Sequence, residues 1–143
     1  MRGRIGWMAG LAAVLAVPAR AGDLSPGLWE ITLESRVAAQ PGFAPAPFRV
    51  TQCLSAADAA DPSRVLGPLS SQGAGDCTYL SREYSGDTFS FRMRCGGSLG
   101  IESQGRIRFG ADTMEGSITA TANTGGSTVE MQNRVSARRL GGC

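Results

Sequence analysis

Apolar and polar residues alternate along most of this chain with the two-residue period of β-strands buried on one face only. After Pro26-Gly27, Trp29, Ile31, Leu33 and Val37 alternate with Glu30, Thr32, Glu34 and Arg36. Further along, Phe89, Phe91, Met93 and Cys95 share one face while Ser90, Arg92 and Arg94 take the other. Ile107 and Phe109 alternate with Arg106 and Arg108 near the end of a strand expected over 99–109. Met114, Gly116, Ile118 and Ala120 then alternate with Thr113, Glu115, Ser117 and Thr119, and Val129, Met131, Asn133 and Val135 with Glu130, Gln132, Arg134 and Ser136. Shorter strands are expected at 48–54 and 77–84. Turn signals separate these units at Ser85-Gly86-Asp87, at Gly96-Gly97, at Gly110-Ala111-Asp112 and over 123–126.

Two segments break the pattern. Residues 38–47 hold three Pro and a Gly and read as a loop, since proline removes ladder donors. Ser55-Ala56-Ala57-Asp58 has the form of a helix N-cap ahead of an Ala-rich run that Pro62 interrupts, so one or two helical turns are expected within 55–66. A Gly- and Ser-rich loop is expected over 67–75. No comparable 3.6-residue periodicity occurs. The predicted fold is therefore mainly all-β: one antiparallel meander sheet or partly closed barrel with one short helix.

The first residues follow a different rule. Arg2 and Arg4 precede an apolar run from Ile5 to Val17, and Ala19-Arg20-Ala21 fits a small-x-small cleavage site. A signal peptide over 1–21 is expected, with cleavage between Ala21 and Gly22 and a single β-rich domain over 22–143. The run is shorter than the ~20 residues of a spanning helix. Removal of Arg2, Arg4 and Arg20 turns 14 basic and 12 acidic residues (+2) into 11 and 12 (−1). A near-neutral domain lacks the clustered basic surface that nucleic-acid binding needs.

Cys53, Cys77, Cys95 and Cys143 form an even set in an exported domain, which implies disulfides. Zinc is disfavoured by the wide spacing and by the absence of His. If Gly86 centres the 77–95 hairpin, Cys77 faces Cys95 directly. That register favours Cys77–Cys95 with Cys53–Cys143 over the sequential set Cys53–Cys77 with Cys95–Cys143, although a one-residue change in the turn would shift it.

The composition argues against the common catalytic sets. Gly96-Gly97-Ser98-Leu99-Gly100 matches a nucleophile-elbow pattern, but it lies among strands and the chain has no His to act as base. Glu30 with Glu34, and Asp58 with Asp61, are the available carboxylate pairs, and neither has a context that would tune it for acid–base work. No cofactor motif and no C-x-x-C is present. Glu30, Glu34, Arg92, Arg94, Arg106, Arg108, Glu130 and Arg134 are expected on the solvent face of one sheet, as weak cross-strand pairs or as an anion-binding stripe.

The opening Pro26-Gly27-Leu28-Trp29-Glu30, Cys53-Leu54 before an Ala/Asp-rich segment and the Cys77–Cys95 hairpin together form an ordered set. Gly105-x-Ile107-x-Phe109, Gly116 and the closing Arg138-Arg139-Leu140-Gly141-Gly142-Cys143 complete it. In that order they resemble the bacterial family catalogued as domain of unknown function 3617. The resemblance spans nearly all of 22–143. It implies a small exported protein of Gram-negative bacteria, located in the periplasm, and it implies no activity. The loop after the first strand departs from the family: it is Ala/Pro-rich here where such proteins often carry Met.

The sequence thus predicts a non-catalytic periplasmic protein that binds a small apolar ligand or an envelope protein. Trp29, Phe89, Phe91, Ile107 and Phe109 are the candidate ligand face or core. The alternative is a structural or interaction module, such as an inhibitor or assembly factor, working through loops such as 38–47.

Overall fold

The structure is a computed structural model that describes residues 24–65 and 76–143. The predicted leader with Ala19, Ala21 and Gly22, and the loop expected over 67–75, lie outside the described residues. Among the described residues, strands β1 (Gly27–Val37), β2 (Phe48–Leu54), β3 (Cys77–Ser85), β4 (Thr88–Cys95), β5 (Glu102–Phe109), β6 (Thr113–Thr124) and β7 (Ser127–Gly141) form one sheet. Its order is β2-β1-β7-β6-β5-β4-β3, and every neighbouring pair is antiparallel. β3 to β7 run as an uninterrupted meander, and the β1–β2 hairpin docks on the free side of β7.

The sheet is open, which decides against the barrel alternative. Closure would require β2 to pair with β3, and these two strands are instead the edges. The chain between them is helical where it leaves β2. α1 (Ala56–Ala60) starts at Ser55, whose hydroxyl accepts from the Asp58 N–H while the Asp58 carboxylate accepts from the Ser55 N–H. Pro62 then splits the segment, and residues 63–65 form a second helical turn. The prediction of one short helix is corrected to two. Ala59 and Val65 enter the core, the Tyr79 hydroxyl donates to the Ser63 carbonyl at 2.7 Å, and the Tyr84 hydroxyl donates to Asp61 at 2.9 Å. A helical strap therefore ties β2 to the β3 edge in place of a strand ladder.

Turns set the strand limits. Gly125 and Gly126 have φ of 55° and 85°, as a tight two-residue hairpin requires, and Thr124 faces Ser127 across it. β5 begins at Glu102, later than the expected 99, because Gly97 and Gly100 adopt positive φ in the preceding turn. The β3–β4 turn is also one residue off the expected centre. Ser85 faces Thr88, which by itself would put Cys77 opposite Gly96. A bulge at Leu80, between the Tyr79↔Met93 and Ser81↔Arg92 pairs, shifts the register back and brings Cys77 opposite Cys95.

The disulfides are Cys77–Cys95 and Cys53–Cys143. The first lies on the apolar face, where Cys95 is buried. The second lies on the opposite face, reaching past the end of β1 with both cysteines exposed.

One face of the sheet builds the core. Trp29 and Ile31 from β1, Phe89, Phe91 and Met93 from β4, Ile107 and Phe109 from β5, Met114 and Ile118 from β6 and Val135 from β7 form one buried cluster. Each large side chain of this kind contributes about 1.5–3 kcal/mol on full burial. The Trp29 indole N–H, which burial would leave unpaired, donates to the Ser25 carbonyl at 2.9 Å.

Candidate functional site

The five residues expected to form either an apolar ligand face or the core are brought together by the sheet, and they fill one another's space. Trp29, Phe89 and Ile107 are 0 % exposed, Phe91 3 % and Phe109 4 %. Phe89 and Phe91 stack at 5.4 Å between centroids, Tyr84 stacks on Phe89 at 4.6 Å, and Tyr79 meets Phe91 edge-on at 5.8 Å. These five side chains act as core.

Three of the four carboxylates in the expected pairs are committed elsewhere, and the fourth, Glu34, is exposed on the polar face. Glu30 accepts from the Arg138 guanidinium at 3.1 Å, and Asp58 caps α1 and faces Arg64 at 3.6 Å. Asp61 accepts from the hydroxyl and N–H of Ser63 and from the hydroxyl of Tyr84. The Ser63 hydroxyl is the main reason the Asp61 carboxyl sits below its ordinary pKa. Burial is the main cause that raises the Tyr84 phenol, assisted by Asp61, and it pushes the Tyr79 phenol far above its usual range. This group holds the strap. No local pattern signals it, because Tyr84 and Asp61 lie 23 residues apart. Ser98 is exposed in the β4–β5 turn with no helix after it, so the elbow geometry is absent there.

The polar face presents the open surface. Three hollows lined by described residues all lie on it, the largest of the three an open trough of about 890 Å³ over β3 to β7. Cross-strand register places Glu83, Ser90, Arg106, Ser117, Arg134 and Glu34 in one row across six strands. Ser90 and Ser117 are short, so the trough floor lies between the Arg106 and Arg134 side chains. Arg94 pairs with Glu102 at 2.6 Å, Arg108 with Asp87 at 3.2 Å and Arg138 with Glu30 at 3.1 Å. All three arginines are well exposed, so each pair adds only about 0.2–1 kcal/mol. Among the described residues, no carboxylate lies within ion-pair distance of Arg92, Arg106 or Arg134. Alternation along each strand placed these arginines, and Ser90 and Ser117 with them, on this face, but it carries no signal for the cross-strand order that sets the serines beside Arg106 and Arg134.

Among the described residues, no cluster of His, Cys, Asp and Glu could hold a metal ion, and no helix is long and apolar enough to cross a membrane.

An open antiparallel sheet with a strap between its edges, two disulfides and a polar outer face defines a small disulfide-stapled β-domain. The chain belongs to the family described as Protein of unknown function (DUF3617), whose model matches residues 24–143. No curated protein and no solved structure matches the chain.

Proposed function

We propose that this is an exported, periplasmic, non-catalytic protein that binds an envelope protein through the β1–β2 connection. The observation that carries this reading is a contrast between two sets of aromatic residues. Trp29, Phe89 and Phe91 are spent on the core, whereas Phe43 and Phe48 stand 55 % and 43 % exposed at the β1–β2 connection. The loop between them is exposed throughout, and its prolines lower the entropy that a partner must remove on binding. Exposed aromatics on a stiff loop are the side chains from which interface anchors are made. Export is supported by the two disulfides, which persist in oxidising compartments.

The test is affinity capture from envelope extract with the intact protein and with Phe43→Ser/Phe48→Ser. Specific partners should be captured by the first and lost by the second, with fold confirmed by circular dichroism. Capture of the same partners by both proteins contradicts the loop as the binding surface.

A further inference from the structure

We propose that the trough on the polar face is a binding site for a phosphorylated sugar or polyol, with the phosphoryl group held between Arg106 and Arg134 above Ser117. This surface is separate from the β1–β2 loop, and the inference does not rest on a protein partner binding there.

The geometry comes from register. Arg106 pairs with Ser117, and Ser117 pairs with Arg134, so the two arginines flank one hydroxyl from alternate strands. Adjacent strands lie about 4.8 Å apart, so the two Cα atoms start about 10 Å apart and both long side chains can lean over the serine. Two guanidinium groups and a hydroxyl donor make a suitable cradle for a phosphoryl group, and planar guanidinium forks match its oxygens. Among the described residues, neither arginine has a carboxylate within ion-pair distance, unlike Arg94, Arg108 and Arg138 on the same face. Glu34 lies opposite Arg134 in the register, yet the two make no ion pair.

The rest of the lining selects the remainder of the ligand. Thr88 and Ser90 offer hydroxyls, and Glu83 and Glu115 are carboxylates without an ion-pair partner among the described residues. Carboxylates and hydroxyls are good partners for the hydroxyl groups of a polyol. They also oppose a densely anionic surface, which argues for a small ligand over a phospholipid membrane. A volume of about 890 Å³ falls in the range of small-molecule sites.

The experiment is an amide chemical-shift titration of the oxidised protein with glucose 6-phosphate, beside glucose, inorganic phosphate and vesicles of anionic phospholipid. Saturable shifts with glucose 6-phosphate should centre on residues 90, 106, 117 and 134. Affinity should fall roughly tenfold or more in Arg106→Gln and in Arg134→Gln, as expected for loss of a charge-assisted contact. It should stay unchanged in Arg49→Gln on β2 and in Phe43→Ser, and glucose should bind far more weakly. Spectra of the free variants report that each is folded. No saturable shift, or equal affinity in Arg106→Gln, overturns the site. Inorganic phosphate binding as tightly as the phosphosugar overturns the assignment of a polyol, and binding to vesicles alone overturns the choice of a small ligand.

Discussion

Gly105 on β5 faces Phe91 on β4, and a methyl group at Gly105 would lie 2.6 Å from the Phe91 ring. The ring occupies the place of the missing side chain, and Gly116 makes the same kind of room on the neighbouring strand β6. A Cβ at Gly116 would come within 2.2 Å of the Arg106 carbonyl oxygen and 2.7 Å of Ile107 Cδ1. These two positions let the apolar face draw together around Phe91 and Ile107, so they determine how completely the core is filled.

Gly105→Ala and Gly116→Ala should both destabilise the fold. Overpacking of this kind costs about 1–3 kcal/mol. Gly116→Ala should cost more, because its nearest obstacle is backbone and cannot rotate away. Phe91→Leu should partly restore Gly105→Ala and leave Gly116→Ala unrestored. Urea denaturation of the single and double variants measures the coupling.

The two disulfides should differ in stabilisation and in reactivity. Cys53–Cys143 spans 90 residues and Cys77–Cys95 spans 18. Chain-entropy arguments give about 4.5 kcal/mol for the longer loop and about 3 kcal/mol for the shorter. The longer bridge is also the exposed one, whereas Cys95 is 1 % exposed. Mild reductant followed by alkylation and peptide mapping should label Cys53 and Cys143 first. Earlier labelling of Cys77 and Cys95 contradicts the placement of the bridges on opposite faces.

The strap should make stability depend on pH at both extremes. The Asp61 carboxyl is depressed by its hydrogen bonds, so its contribution is present above the unfolded carboxyl pKa of 3.8 and lost as pH falls through the folded value. The loss therefore lies on the acid side, below about pH 4. The Tyr79 and Tyr84 phenols are raised, so their contribution is present below the unfolded phenol pKa of 10.0 and lost as pH rises beyond it. Asp61→Asn should flatten the acid limb of a stability–pH curve. The chain has only these two tyrosines, so ultraviolet titration of the folded protein should show no phenol ionising at its ordinary value. Tyr79→Phe should cost about 0.5–1.5 kcal/mol through the lost bond to Ser63.

Much of this architecture was legible because a one-sided strand repeats every two residues. Trp29, Phe89, Ile107 and Val135 each announce the buried face without reference to any partner. What depends on register was less legible. The pairing of Cys77 with Cys95 followed from a turn centred on Gly86, but the actual turn would have missed it, and the Leu80 bulge restores it. A bulge of this kind leaves no trace in hydrophobic alternation. Closure was also hidden, because it depends on β2 and β3, which are distant in the chain and joined through Ala59, Val65 and Asp61 rather than by a ladder. On the polar face, composition located the arginines, but which of them meet a carboxylate depends on cross-strand neighbours. Arg94 finds Glu102 in its own pair, whereas Arg106 finds Ser90 and Ser117.

The apolar face is a filled core, and both surfaces proposed above for binding lie outside it. Native mass spectrometry of the protein purified from the cells that express it tests the filled core most directly. The expected mass is that of the polypeptide with two disulfides and no apolar molecule retained. A stoichiometric fatty acid or other apolar adduct, lost when Phe91 or Ile107 is enlarged or made polar, would contradict it.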